Sequence, residues 1–127
     1  SRGQERGAMR DMSSDATSPS PLPRIESGSR HLVPEALEWQ PTEAPGFWIK
    51  PLLDDGKGGT TMLMRIDPGA YVGSHSHDQL EEILVLEGEF TDDDRTHRPG
   101  DYCLRAIGAP HVAGSKTGCT VLLVYRK

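Results

Sequence analysis

The sequence predicts an all-β fold, a barrel or sandwich of short antiparallel strands, on three observations. Apolar residues come in segments of strand length, turn-forming clusters separate the segments, and none of the segments carries helical spacing. At 127 residues the chain has the length of one domain.

Residues 1–30 are rich in Ser, Pro, Gly, Arg and Asp and include Pro19-Ser20-Pro21-Leu22-Pro23, so they are expected to form an irregular N-terminal arm. Met12, followed by Ser13, Ser14 and Asp15, has the character of a natural start, which would make residues 1–11 an added extension. The β-domain is then expected over residues 31–127. Its strands are expected at 31–33, 47–53, 60–66, 83–90, 102–104 and 121–125, with turns at 54–59, 67–69, 91–94, 99–100 and 114–118. The acidic run Asp92-Asp93-Asp94 lacks the ligand spacing of a calcium loop and reads as a solvated hairpin tip.

Composition excludes several classes. A formal charge of −5, a pI near 5.5 and the lack of clustered Lys and Arg argue against nucleic acid as a partner. No apolar run approaches the ~20 residues of a membrane span, and no signal-like apolar core precedes the domain, so a cytoplasmic protein is expected. Cys103 and Cys119 lie inside expected strands rather than in a CxxC pair, and are expected to be free thiols. A core this small is helped by association, so a homodimer is expected.

The stretch from Gly69 to Gly88 carries the chemistry. In extended backbone, side chains two apart share a face with Cα atoms roughly 6–7 Å apart, so His75 and His77 can converge on one ion. A carboxylate should join them, and Glu81 competes with Glu82. Glu81 alternates with Ile83 and Val85, and Glu82 with Leu84 and Leu86, so alternation alone does not choose. Counting back through Leu80 puts Glu81 in phase with His77 and His75, provided Asp78-Gln79 inserts no bulge. The remaining imidazoles are His31, His97 and His111. His111 follows the turn Gly108-Ala109-Pro110, which would present it at a barrel mouth, whereas His97 stands in a charged loop and His31 beside the arm.

These residues resemble the first motif of the cupin superfamily: Gly, five residues, His-x-His, three or four residues, Glu, six residues, Gly. Gly69, His75, His77, Glu81 and Gly88 fit it, and only Glu81 leaves six residues before the closing glycine. The second cupin motif is similar to the run from Gly100 to Ser115, with Gly108 and His111 in place, Ala106 where the family has Pro, and Ser115 where it has Asn. Within the superfamily, residues 86–92, 99–102 and 118–123 resemble the cupin domain of ChrR-type anti-sigma factors, and small acetylacetone dioxygenase-like cupins are similar too.

The resemblance implies a cupin-type double-stranded β-helix, a jelly-roll-like barrel, that holds one divalent metal ion with His75, His77, Glu81 and His111. It implies a metal-dependent dioxygenase acting on a small carbonyl or enol compound, or else a non-enzymatic metal-bound sensor or small-ligand-binding domain. ChrR-type proteins also carry a separate zinc-binding helical domain, whose Cys/His spacing this sequence does not match, so an anti-sigma role is not expected. Four ligands would saturate tetrahedral Zn2+, whereas six-coordinate Fe2+, Mn2+ or Ni2+ would keep two positions open. Met62, Met64, Ile66, Ile83, Val85, Tyr102 and Leu104 are expected to face inward, as pocket wall or simply as core. No catalytic role falls to Tyr71, Tyr102 or Tyr125.

Overall fold

The computed structural model describes residues 28–93 and 95–127. The arm expected over 1–30 therefore lies outside the described residues up to residue 27, as does Asp94 of the acidic run. A short 3-10 turn, Pro34–Ala36, precedes ten strands: β1 (Gln40–Pro41), β2 (Phe47–Asp54), β3 (Thr60–Ile66), β4 (Tyr71–His75), β5 (Leu80–Gly88), β6 (Phe90–Thr91), β7 (Thr96–His97), β8 (Tyr102–Arg105), β9 (His111–Gly114) and β10 (Cys119–Arg126). No strand forms at 31–33, where Leu32 and Val33 are exposed; a lone apolar pair beside Pro34 has no ladder to join.

The strands make two antiparallel sheets, in the orders β1-β2-β3-β10-β5-β8 and β4-β9-β6-β7. The all-β class is borne out. Rather than one continuous cylinder, the described strands form two separate sheets that share a core, the sandwich form of the double-stranded β-helix.

Strict alternation builds that core. Met62, Met64 and Ile66 of β3, Ile83 and Val85 of β5, and Val121, Leu123 and Tyr125 of β10 are each at most 3% exposed, and Phe90 and Ala113 from the smaller sheet close on them. Pro51, which donates no backbone hydrogen bond, sits where the β2–β3 register shifts.

Register turns this alternation into rows across the inward face. Thr60 pairs with Tyr125, Tyr125 with Glu81, and Glu81 with Arg105, giving one polar row over four strands. The neighbouring row is Met62, Leu123, Ile83 and Cys103.

Two inward assignments need correction. Tyr102 and Leu104 are each 55% exposed, because in β8 it is Cys103 and Arg105 that take the inward phase. Neither cysteine is in a disulfide; Cys119 is buried and Cys103 half-buried.

Candidate metal centre

The polar row supplies a carboxylate, and the smaller sheet brings imidazoles to it. His75 at the end of β4 pairs directly with His111 at the start of β9. His77 lies between β4 and β5, four residues before Glu81. Ring centroids are 4.3 Å apart for His75 and His111, 5.1 Å for His75 and His77, and 5.4 Å for His77 and His111. One nitrogen from each of the three rings lies within 4.8 Å of the others. Glu81 completes the group, with Oε1 3.4 Å from His111 Nε2 and Oε2 3.9 Å from His77 Nε2. The side chains of His77, Glu81 and His111 are 5%, 1% and 3% exposed.

Local backbone contacts orient the rings. A carbonyl oxygen only accepts, so His75 Nδ1–H donates to the Gly73 carbonyl at 2.8 Å and His111 Nδ1–H to the Ala109 carbonyl at 3.0 Å. Both rings then carry their lone pair on Nε2, the arrangement that suits a metal ligand. Glu82 faces the other way, where Glu82 Oε2 accepts from Arg126 Nε at 2.6 Å and Oε1 from the Tyr102 hydroxyl at 2.7 Å.

His75 Nε2, His77 Nε2, His111 Nε2 and both Glu81 carboxylate oxygens are buried without a hydrogen-bond partner. Buried polar atoms are almost always paired, and five orphans converging on one place are what a cation would satisfy. The donor set of imidazole and carboxylate fits a divalent ion.

Burial also tunes the protonation states. It draws His77 down from 6.5 to about 4, with His75 and His111 adding like charge. His111 is likewise drawn from 6.5 to about 4, chiefly by burial. Glu81 is pushed up from 4.5 to about 7 by burial, against the opposing influence of the adjacent Tyr125 hydroxyl and of Arg105. Tyr125, wholly enclosed, is held well above its ordinary value by the same desolvation and so keeps its proton.

The metal-free protein should therefore respond to pH in a defined way. Between about 4 and 6.5 the two histidines bind fewer protons folded than unfolded, so stability rises with pH; Glu81, which holds its proton more tightly when folded, opposes this between 4.5 and about 7. With two groups against one, the melting temperature in chelator is expected to climb from pH 4 to 6.5. A divalent ion needs neutral imidazoles and an ionised Glu81, so its added stabilisation should be greatest above pH 7. Thermal scans across pH, with and without chelator, check both slopes.

Arg105, which the sequence did not single out, reaches the centre from β8. Its Nε is 3.5 Å from Glu81 Oε1 and one of its terminal nitrogens donates to Asp92 Oδ2 at 2.7 Å. Asp92 is 8% exposed and also accepts from His97 Nε2–H at 2.9 Å, with His97 itself buried in β7. The expectation that residue 92 belongs to a solvated tip, and His97 to a charged loop, is thus corrected for both. Arg105 balances the Asp92 carboxylate, which also takes up the His97 N–H, so the segment packs inward instead of toward water. Arg105→Leu leaves two carboxylates without their cation and should cost about 3 kcal/mol, read as a lowered denaturation midpoint at unchanged slope.

Two packed antiparallel sheets with three imidazoles and a carboxylate gathered at one end of the shared core have the architecture of a cupin. The chain belongs to the family described as the ChrR Cupin-like domain, whose profile matches residues 28–127. Comparison with curated proteins finds no match.

Among solved structures, a chain from the Rhodobacter sphaeroides complex of SigE with the anti-sigma ChrR is 27% identical, with a TM-score of 0.62; the match covers 72% of this chain and 49% of that one. The present chain thus spans about half the length of that relative. A Methylibium petroleiphilum protein provisionally described as an acetylacetone dioxygenase gives a TM-score of 0.70 at 15% identity, covering 80% of this chain and 79% of that one. The polyketide cyclase RemF from Streptomyces resistomycificus gives 0.67 at 21% identity, covering 77% and 79%. At such identities the last two show the fold alone.

Proposed function

We propose that this chain is a metal-binding cupin in which His75, His77, Glu81 and His111 hold one divalent ion, and that the metal-bound domain senses or holds a small ligand. The observation that carries the reading is the convergence of five buried, unpartnered donor atoms. Membership of the ChrR cupin-like family and a donor set that saturates tetrahedral Zn2+ favour a binding role over turnover.

A second reading, a dioxygenase acting on a small carbonyl or enol compound, draws on the uneven enclosure of the centre. His75 is only half-buried while His77, Glu81 and His111 are covered, so a small molecule has one side from which to approach. An iron(II) ion there would supply oxygen chemistry; the chain's own part would be to hold three neutral imidazoles and keep water away on the Glu81 side.

Metal content of protein purified without added metal, followed by oxygen uptake of the iron-loaded form against diketones and enols, separates the two. Stoichiometric metal with a chelator-dependent melting temperature and no uptake supports the binding role. Oxygen consumption supports the enzyme, and absence of any tightly bound metal removes both. The homodimer expected from the domain's size belongs to the same proposal, supported by the exposed apolar side chains Leu86, Tyr102, Leu104 and Ile107, and sedimentation equilibrium tests it.

A further inference from the structure

We propose that Asp92, His97 and Cys103 form a second metal site, suited to a thiophilic divalent ion of the Zn2+ type, at the corner where the edges of the two sheets meet. His97 lies in β7, the edge of the four-stranded sheet, and Cys103 in β8, the edge of the six-stranded sheet; Asp92 follows β6. Each of the three offers one ligand atom, and those atoms lie within 4.8 Å of one another. Around a tetrahedral Zn2+ with bonds of about 2.0–2.3 Å, donors stand roughly 3.5 Å apart, so small side-chain rotations are enough to close the set.

The donor chemistry is that of zinc rather than of calcium or magnesium. A thiolate and an imidazole select a borderline-soft ion, and the carboxylate adds charge without changing that preference. Asp92 is already oriented, since its Oδ1 accepts from the Arg95 backbone N–H at 3.0 Å and its Oδ2 from Arg105 at 2.7 Å. Arg105 can stay on Asp92 as an outer partner, as metal-bound carboxylates are commonly hydrogen-bonded in turn.

A surface cleft of about 440 Å³, lined in part by Asp92, His97, Tyr102, Cys103, Leu104 and Arg105, opens onto the cluster and leaves the fourth position to water or another small ligand. Binding displaces the thiol proton of Cys103 to solvent and, where His97 Nε2 is the ligand atom, moves the ring proton from Nε2 to Nδ1, with no redox change. The Asp92–His97–Arg105 hydrogen bonds hold this corner without an ion as well. Metal stoichiometry therefore decides between an ion site and a purely hydrogen-bonded corner.

The test is Zn2+ equilibrium dialysis together with Co2+ titration, read for a thiolate-to-cobalt charge-transfer band in the near ultraviolet. Wild type is expected to bind two equivalents and show the band. Cys103→Ser should bind one and lose the band, whereas Cys119→Ser should retain both equivalents and the band. His77→Ala should lose the other equivalent and keep the band, so failure of the principal centre is distinguishable from failure of this one. Wild type without the band, or a band that survives Cys103→Ser, overturns the proposal.

Discussion

Replacing His77 by alanine is expected to lower metal content and thermal stability together. An ion that binds only the folded chain contributes about 2.7 kcal/mol at a free concentration a hundredfold above its Kd, and losing that much from a domain of this size lowers the melting temperature by roughly 10 °C or more. The same comparison in chelator should show a much smaller gap. In the metal-free protein His77 is a desolvated imidazole whose Nε2 has no hydrogen-bond partner and whose neighbours disfavour its charged form. Unchanged metal stoichiometry in the variant would remove His77 from the ligand set; an equal loss of stability with and without chelator would make its role one of packing.

Gly88→Ala is expected to destabilise the domain most among single-atom additions. Gly88 closes β5 at φ 72°, a left-handed conformation that costs an L-residue roughly 1–2 kcal/mol. A Cβ there would also overlap the carbonyl oxygen of Gly118, the residue that leads into β10, and the Cα of Cys119, which opens β10 and pairs with Gly88. Backbone of a paired strand cannot rotate away as a side chain can, so the total should exceed about 3 kcal/mol. Gly69→Ala is the internal control. It has φ 84° with nothing within 4 Å of the added carbon, so it should show the dihedral cost alone. Equal denaturation midpoints for the two variants would mean that β10 yields to the methyl group.

The contrast between these glycines shows what the sequence could convey. Strand length, alternation in β3, β5 and β10, and the turn clusters are local properties, and each was legible. The ligand candidates could be read from local spacing because His75, His77 and Glu81 are neighbours in the chain, and the structure gathers them with His111. Arg105 was not legible. Its place opposite Glu81 depends on how β8 registers against β5, and a shift of one residue would have turned Tyr102 and Leu104 inward instead. Asp92 and His97 were misread for a related reason, since a charged segment is taken for surface until its neutralising partner, here Arg105, is known. β4 and β9 escaped notice because a Gly, a Ser and a His interrupt the apolar alternation that marks a strand.

β10 is the strand that comes last in the described chain, yet it lies between β3 and β5 in the larger sheet. A chain growing from its N-terminus therefore has β3 and β5 in existence with no ladder between them until residues 119–126 arrive. For that interval two apolar edges remain unclaimed, and they are open to a wrong partner on another nascent chain. The sheet is sealed late and by long-range pairing, which sets a slow folding step. The polar row is complete only after Tyr125 has been threaded between Thr60 and Glu81.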